Sequence, residues 1–445
     1  MPDSWKIGIA SRCITPPVGG QMAGFDARKL PSNDVHDELH ARALVFDAAD
    51  CTVALISVEV IAVSAQFSAR VRERIASATG IPAAHIILSA THTHCGPVTL
   101  NHFFNQGQPL DEVYLETLAT GIANATIEAF ERRRERTLKT GMVPVSGIAV
   151  NRRTADGLPV DPYAGVLLIE EGNGQPAAIA VLYACHTTVL GPNTLSITQD
   201  FPFYTLEKLR ASLGVGVDAL YFNGAEGDLS IGHKSDLSAV GIIDSFRTFE
   251  TAQLLGKRLA DAVLSGLPSL VTEPATLDVR TAHPNLALKQ YAPLAKMTRA
   301  KTEALAQLVD GGDTSPEMLA KRQRSLFARI EEFYAKLYEE SAEPEPKHLR
   351  VECVALRLGG MAVVTLPGEI FVRIALGIRE GSPFTRTCLL GLANDYIGYV
   401  PDEQATATSG YEVVASRVPA AAGLVLQRAA IDLLVELHAN GKVSA

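Results

Sequence analysis

Residues 41–60 read ARALVFDAADCTVALISVEV. These two runs of apolar and β-branched residues predict a pair of neighbouring strands. A helix is predicted over residues 66–79, because Gly80 follows as a terminating residue. HIILSA at residues 85–90 predicts a buried strand. Because strands alternate with a helix, this stretch indicates an α/β fold.

The same rhythm continues toward the C-terminus. Short apolar runs predict further strands at residues 166–170, 178–185, 219–223, 351–358, 361–366 and 387–394. Helices are predicted after Asp111, whose carboxylate can cap the first turn, and over residues 244–264 and 420–439. The predicted fold class is therefore α/β, with a mixed β-sheet core flanked by helices.

Residues 286–340 differ from the rest because they are almost entirely helix-favouring and charged. Ser315 and Pro316 form a new helix start, with serine as the cap and proline in the first turn. We predict a helical hairpin with its hinge at residues 309–316, after which EPEPK at residues 343–347 returns the chain to the sheet. Since strands resume directly afterwards, we interpret residues 286–340 as an insertion within a single domain spanning residues 1–445.

Composition excludes some classes of protein. The 445 residues include 40 Lys and Arg and 49 Asp and Glu, a formal net charge of −9, and neither sign forms a block of five. A basic nucleic-acid-binding surface is therefore not expected. The hydrophobic fraction of 47% and the charged fraction of 20% are typical of a soluble globular chain.

Targeting and redox signals are weak. The N-terminus lacks the basic and apolar regions of a secretory signal, and the longest apolar runs, such as residues 177–184, are less than half of the ~20 residues that span a bilayer. The six cysteines are far apart and show no CxxC spacing. We therefore predict no membrane span, reduced thiols and a cytoplasmic location.

The strongest chemical signal is SATHTHCGP at residues 89–97. In an extended chain residues i and i+2 point the same way, so His92 and His94 can share one cavity at the end of a strand. Such a pair indicates a metal site, although two hydrogen-bonded surface histidines in a turn are the alternative. His186, where another buried strand meets a Gly-Pro loop, is a candidate partner.

Two acidic segments also follow predicted strands. Glu369, in VVTLPGEIF, either faces a ligand or satisfies the dipole of a helix that begins there. The glycine-rich turn NGAEGDLSIGH at residues 223–233 allows the backbone to approach a ligand or metal. Its polar side chains are those of Glu226, Asp228, Ser230 and His233.

Together these segments resemble the neutral/alkaline (non-lysosomal) ceramidase family, metal-dependent amidases that cleave the N-acyl bond of ceramide. SATHTHCGP is similar to the family's ATHTHSGP, and GDLS at residues 227–230 is similar to its GDVS. The other matching blocks, in chain order, are GIASRCITPPVGGQMAGF, DVHDELHARAL, HTTVLGPNTLSITQD, LPGEIF and GLANDYIGYV. The resemblance covers nearly the whole chain as the family's catalytic region.

The resemblance implies a zinc site and its catalytic neighbours. Its implied Zn²⁺ ligands are His92, His186, Glu369 and Tyr399, with Tyr396 a near neighbour of the last. His94 and Arg152 are implied to lie beside the reacting carbonyl, and Tyr411 is implied to donate to the amide oxygen. Ser230 has been assigned as a nucleophile in the family, but we interpret it as structural, because water on zinc already supplies a nucleophile.

The predicted function is that of a zinc-dependent hydrolase that cleaves an N-acyl amide bond by metal-activated water, on a small-molecule or lipid-like substrate. The family's secretion signal and C-terminal immunoglobulin-like domain are not found in this sequence, and SIG replaces the family's SPN after GDL. These differences, with Glu226 and His233, favour a smaller and more polar substrate than ceramide. The alternatives are a zinc esterase or lactonase on a small polar substrate, and a metal-holding binding protein without turnover.

Overall fold

The computed structural model describes residues 4–48, 50–103, 109–306, 313–341 and 347–440. Its strands are, in chain order, β1 (Lys6–Cys13), β2 (Asp34–Val35), β3 (His40–Ala48), β4 (Cys51–Val58), β5 (Ile86–Ala90), β6 (Arg134–Glu135), β7 (Thr137–Pro144), β8 (Val150–Asn151), β9 (Tyr163–Glu170), β10 (Pro176–Tyr183), β11 (Ser196–Ile197), β12 (Asp218–Asn223), β13 (Leu229–Ser230), β14 (Val271–Thr272), β15 (Leu277–Ala282), β16 (Asn285–Ala287), β17 (His348–Arg350), β18 (Cys353–Leu358), β19 (Met361–Thr365), β20 (Glu369–Ile370), β21 (Arg386–Leu390) and β22 (Tyr399–Val400).

The helices connect these strands and cover the sheets. They are α1 (Ala65–Thr79), α2 (Glu112–Glu131), α3 (Phe201–Leu213), α4 (Ser235–Ala239), α5 (Phe249–Gly266), α6 (Leu294–Ala306), α7 (Pro316–Glu340), α8 (Val372–Gly381), α9 (Glu403–Thr408), α10 (Tyr411–Val414) and α11 (Ala421–Asn440).

Three larger sheets surround a shared apolar core. Their strand orders are β5-β4-β3-β1-β6, β12-β10-β9-β7-β14 and β15-β18-β19-β21. Each sheet combines antiparallel pairs with a parallel pair, namely β4 with β5, β10 with β12, and β19 with β21. Buried residues from all three, such as Phe46, Leu167 and Val363, belong to the same core cluster. The three sheets therefore pack with one face toward a common centre.

Helices cover the outer face of each sheet. Helices α1 and α2 pack on the first sheet, α3 and α5 on the second, and α8 and α11 on the third, each through a separate apolar cluster. The contact between α2 and β1 is close, because a Cβ atom at Gly8 would lie 1.6 Å from the carbonyl oxygen of Ala129. Only glycine fits at that position of β1.

The predicted α/β class, with a mixed sheet core flanked by helices, is confirmed, and most predicted elements lie within a few residues of the observed ones. Helix α2 follows Asp111, whose side chain accepts from the Tyr114 amide at 2.9 Å. The helix predicted from residue 244 begins instead at Phe249, because Thr248 caps it by accepting from the Thr251 amide at 3.3 Å. Strand β7 was not anticipated, since Lys139 and Gly141 interrupt its apolar pattern.

The charged segment contains two helices, α6 and α7. The amide of Leu294, at the start of α6, donates to Glu339 near the end of α7 at 2.7 Å, and Lys301 pairs with Glu332. These contacts make the two helices antiparallel. Strands β16 and β17 pair where the segment leaves and rejoins the rest of the chain. Residues 309–312 of the predicted hinge and 343–346 of the return lie outside the described residues.

Within the described ranges, no helix combines the length and the apolar character that a bilayer crossing requires. All six cysteines lie in the described part of the chain, and each is a free thiol.

Candidate active site

The parallel strand pairs of the three sheets end at one place in the molecule. Asn223, at the end of β12, connects the loops that follow β5 and β10. Its side chain donates to the Thr91 carbonyl at 3.2 Å and accepts from the Cys185 amide at 3.2 Å. The Gly391 amide, just after β21, donates to the Asn223 carbonyl at 3.1 Å. The loops that follow β5, β10, β12 and β21 are thereby held together, and they carry polar side chains into one buried pocket.

His92 and His94 follow β5 and lie in this pocket. The ring centroids of His92 and His94 are 4.7 Å apart, and the Nε2 atoms of the two rings are 3.2 Å apart. Extended backbone, the reason given for their pairing, is not what brings them together, because His92 has a φ of 67°. Gly24 makes room for the His94 ring, since a Cβ there would lie 2.5 Å from it.

Backbone carbonyls fix the tautomer of both proposed histidine ligands. His92 Nδ1 lies 2.8 Å from the Ile61 carbonyl, and His186 Nδ1 lies 2.7 Å from the Glu226 carbonyl. Since a carbonyl only accepts, each Nδ1 carries the proton and each Nε2 is free to bind a metal. Burial, followed by the charge of Arg152, lowers the pKa of His186 to about 4. His186 is therefore neutral near pH 7.

Glu369 faces these two histidines. Its Oε2 atom lies 2.9 Å from His186 Nε2 and 3.4 Å from His92 Nε2. Burial alone raises the pKa of Glu369, whereas positive charge on the facing His92 and then His186 would lower that pKa well below its usual range. The helix-dipole alternative does not describe this side chain, because Asp228 accepts from the Val372 amide at the start of α8 instead, at 2.7 Å.

Two tyrosines complete this side of the pocket. Tyr396 donates its hydroxyl to Glu369 Oε1 at 2.6 Å, which orients the carboxylate. The Tyr399 hydroxyl accepts from Arg152 Nη2 at 3.3 Å, and the same nitrogen lies 3.5 Å from His186 Nε2. The Tyr396 hydroxyl therefore contacts the Glu369 carboxylate, and the Tyr399 hydroxyl contacts the Arg152 guanidinium.

Arg152 is held in place by Gly227, Glu412 and Tyr399. Its Nη2 donates to the Gly227 carbonyl at 2.9 Å, and its Nε lies 2.8 Å from Glu412 Oε1. The turn that carries it follows β8, which pairs with β13. Glu412 was not predicted as its partner, because the two residues are far apart in the sequence and no local motif links them.

Tyr411 and Ser230 are placed differently. The Tyr411 ring lies 5.9 Å from that of Tyr399, and burial raises the pKa of Tyr411 well above its ordinary value, so its phenol stays protonated. The Ser230 hydroxyl donates to the His233 carbonyl at 3.0 Å and accepts from the Gly232 amide at 3.2 Å. The Ser230 hydroxyl is thus engaged within its own turn.

Glu226 lies in the pocket with its carboxyl group fully buried. Neither of its side-chain oxygens has a hydrogen-bond partner in the described part of the chain. Burial, followed by repulsion from Glu369, raises the pKa of Glu226 well above its ordinary value. Glu226 was predicted as a polar group of the glycine-rich turn, but no signal in the sequence indicated its position beside Glu369.

The pocket fits a divalent metal ion. Ligand atoms of His92, His94 and His186 lie within 4.8 Å of one another, and so do those of His92, Glu226 and Glu369. In addition, the lone pair of His186 Nε2 faces an oxygen of Glu369 at 2.9 Å. Two acceptors at that distance repel each other unless a cation or proton lies between them. Imidazole and carboxylate together form a donor set that zinc accepts.

The sequence and the fold were compared with known proteins. Residues 5–200 match the family described as neutral/alkaline non-lysosomal ceramidase, N-terminal. The fold is similar to the crystal structure of neutral ceramidase from Pseudomonas aeruginosa, with a TM-score of 0.75 and 17% identity over 98% of this chain and 75% of that chain. A ceramidase complexed with C2 gives a TM-score of 0.73 and 17% identity over 98% and 76% of the two chains. No protein of curated function matches the sequence.

Proposed function

Because the resemblance to the neutral/alkaline ceramidase family is confirmed over residues 5–200 and the fold is that of the neutral ceramidases, we propose that this protein is a zinc-dependent hydrolase that cleaves the amide bond of an N-acyl substrate. The observation that carries this proposal is the buried approach of His186 Nε2 to Glu369 Oε2, which a cation would stabilise.

The proposed zinc ligands are His92, His186, Glu369 and Tyr399. Zinc supplies Lewis-acid polarisation of the substrate carbonyl and a water whose pKa is lowered to roughly 7. The backbone carbonyls behind His92 and His186 orient the two rings. Tyr396 holds the Glu369 carboxylate in one orientation.

The proposed catalytic groups surround this set. His94, whose Nε2 lies 3.2 Å from His92 Nε2, is proposed to accept a proton from the attacking water and to deliver it to the leaving amine. Arg152 carries a positive charge that can stabilise the oxyanion of the tetrahedral intermediate. Tyr411, a protonated phenol, is proposed as a second donor to the same oxygen.

A cavity of about 540 Å³ borders the site and supports a polar substrate. Tyr396 links the two, because its ring lines the cavity and its hydroxyl contacts Glu369. Aromatic residues of α7, Phe333 and Tyr334, form part of the wall. The cavity is also lined by charged residues, namely Glu112, Lys336, Glu340 and Arg417. The lining also includes the apolar side chains of Leu100, Leu110, Leu337 and Ile397, so the cavity offers contacts both to a short acyl group and to polar substituents on it.

We also propose that the chain forms one catalytic domain into which residues 286–340 are inserted. Helix α7 contacts loops around the site: Arg329 pairs with Asp26 at 2.7 Å, and Gln323 donates to Asp236 at 2.9 Å. Asp236 in turn accepts from the backbone amide of Tyr411 at 2.9 Å. The insertion would therefore help to shape the substrate cavity.

A substrate panel tests the proposed function. The protein is depleted of metal with a chelator, reloaded with zinc, and assayed on short-chain N-acyl amides, on esters and lactones of similar size, and on long-chain ceramide in vesicles. We expect zinc-dependent cleavage of the short amides at higher rates than cleavage of ceramide. Cleavage of esters or lactones alone would favour the esterase alternative, and zinc binding without cleavage of any substrate would favour a binding protein.

The variant Ser230→Ala distinguishes a structural serine from a nucleophile. Because the Ser230 hydroxyl is engaged within its own turn, we expect turnover of the variant to stay within the same order of magnitude as that of the parent protein. Loss of a nucleophilic serine lowers kcat by about 10⁶-fold in a serine hydrolase. Steady-state rates together with mass spectrometry of the enzyme during turnover provide the test. An acyl group found on Ser230 would contradict our interpretation.

A further inference from the structure

Glu226 has a position in the pocket that the proposed ligand set does not use. It follows β12, its side chain is fully buried, and neither carboxylate oxygen has a hydrogen-bond partner among the residues that the structure describes. Burying an ionised carboxylate without a partner is costly, and native proteins pair such groups with cations or hydrogen-bond donors. The carboxyl group faces His92 and Glu369, and a metal ion bound among these three side chains would supply its partner.

We propose that Glu226 is a further ligand of the metal ion, so that this chain binds the ion with two carboxylates, those of Glu226 and Glu369. This inference rests on the proposed metal-dependent function. Ligand atoms of Glu226, Glu369 and His92 lie within 4.8 Å of one another. Since zinc–oxygen and zinc–nitrogen distances are about 2.0–2.2 Å, two ligand atoms of one ion would lie no more than about 4 Å apart. A small movement of the side chains brings all three to a common ion.

The backbone holds Glu226 where this role requires it. Its carbonyl accepts from the Leu229 amide at 2.8 Å and from His186 Nδ1 at 2.7 Å. The following residue, Gly227, donates its amide to the Ile370 carbonyl at 3.0 Å. Glu226 thus orients one proposed ligand, His186, through its backbone carbonyl, while its side chain faces two others, His92 and Glu369.

Packing on the far side confines the carboxylate. A Cβ atom at Gly391 would lie 2.9 Å from Glu226 Oε2, so a larger residue at Gly391 would displace the carboxylate. The glycine leaves just enough space for the carboxylate between the loop after β21 and the histidines. Two carboxylates also balance the double charge of a divalent ion, which favours the neutral complex in a buried pocket.

The test compares Glu226→Gln with Asp228→Asn in the full chain. Asp228 is a buried carboxylate of the same turn whose oxygens accept from the Val372 amide at 2.7 Å and from Asn151 at 2.6 Å, so it has partners away from the histidines. Zinc affinity is measured by competition with a chromophoric chelator. The number of oxygen and nitrogen neighbours of zinc is measured by X-ray absorption.

We expect Glu226→Gln to weaken zinc binding by at least about 10–100-fold and to remove one oxygen neighbour. Asp228→Asn should retain the zinc affinity and the coordination of the parent protein. We also expect the metal-free Glu226→Gln protein to unfold at a temperature no lower than the metal-free parent, because the variant loses an unpaired buried carboxylate. Zinc should raise its unfolding temperature by less than it raises that of the parent.

Unchanged zinc affinity and coordination in Glu226→Gln would overturn the inference. If that variant does not fold, Glu226→Asp is measured in its place, because aspartate keeps the charge but shortens the side chain. Full zinc affinity and unchanged coordination distances in Glu226→Asp would equally overturn the inference. Failure of the proposed function is distinguishable, since it would appear as a lack of hydrolysis by the zinc-loaded parent protein whatever the affinities of the variants.

Discussion

Replacing His94 with alanine is expected to lower turnover by roughly 10²–10⁴-fold, the usual contribution of a general acid or base, while zinc stays bound. The Nε2 of His94 lies 3.2 Å from His92 Nε2, and its Nδ1 is buried without a hydrogen-bond partner in the described ranges. Burial, followed by the charges of His92 and His186, lowers the pKa of His94 well below its ordinary value. A neutral imidazole at this position can take up a proton and return it within one catalytic cycle.

His92→Ala is the matched comparison, because its imidazole is a proposed ligand of the same ion. It should lose zinc and activity together. Both variants are dialysed against the same buffer, and zinc content and hydrolysis are then measured side by side. The donor atoms of His92, His94 and His186 lie within 4.8 Å of one another, so equal zinc loss in both variants would place His94 among the ligands. Proton transfer would then fall to Tyr411 or Glu226.

Among the side chains that lie together in the pocket, those at strand ends were the easiest to predict from the sequence. His92, His186 and Glu369 each follow a short apolar run, and such a run reports the end of a buried strand without knowledge of its partners. The geometric reason given for the His92 and His94 pair was wrong, because the backbone leaves the extended conformation at His92, where φ is 67°. A turn, rather than strand alternation, brings the two rings into one pocket.

Contacts between distant segments were the part that the sequence could not predict. The ion pair between Arg152 and Glu412 and the hydrogen bond from Tyr396 to Glu369 depend on how three sheets meet. The partition of the strands among the sheets is likewise non-local, since β1 pairs with both β3 and β6. Hydrophobic periodicity records which face of a strand is buried, but it carries no information on which strand lies beside it.

Arg152→Gln is expected to lower kcat by roughly 10²–10³-fold, the usual cost of losing one donor to a developing oxyanion. Burial alone lowers the pKa of Arg152, but Glu412 and then Tyr399 outweigh it, so the guanidinium remains charged. Glutamine cannot supply that charge beside His186. The variant should still fold, because Glu412 keeps its contacts with Arg153 and Ser235.

Arg153→Gln is the control that separates catalysis from stability. Arg153 pairs with the same Glu412 at 2.6 Å, but its Nη2 atom contacts the C-terminal end of helix α9, including the Ala405 carbonyl at 3.2 Å. We expect both variants to unfold at a lower temperature than the parent protein, because each removes one partner of a buried carboxylate. Only Arg152→Gln should lose turnover when kcat is measured below both unfolding transitions. Equal loss of turnover in the two variants would mean that Arg152 acts by supporting helix α10, which carries Glu412, and the proposed contact with the oxyanion would be wrong.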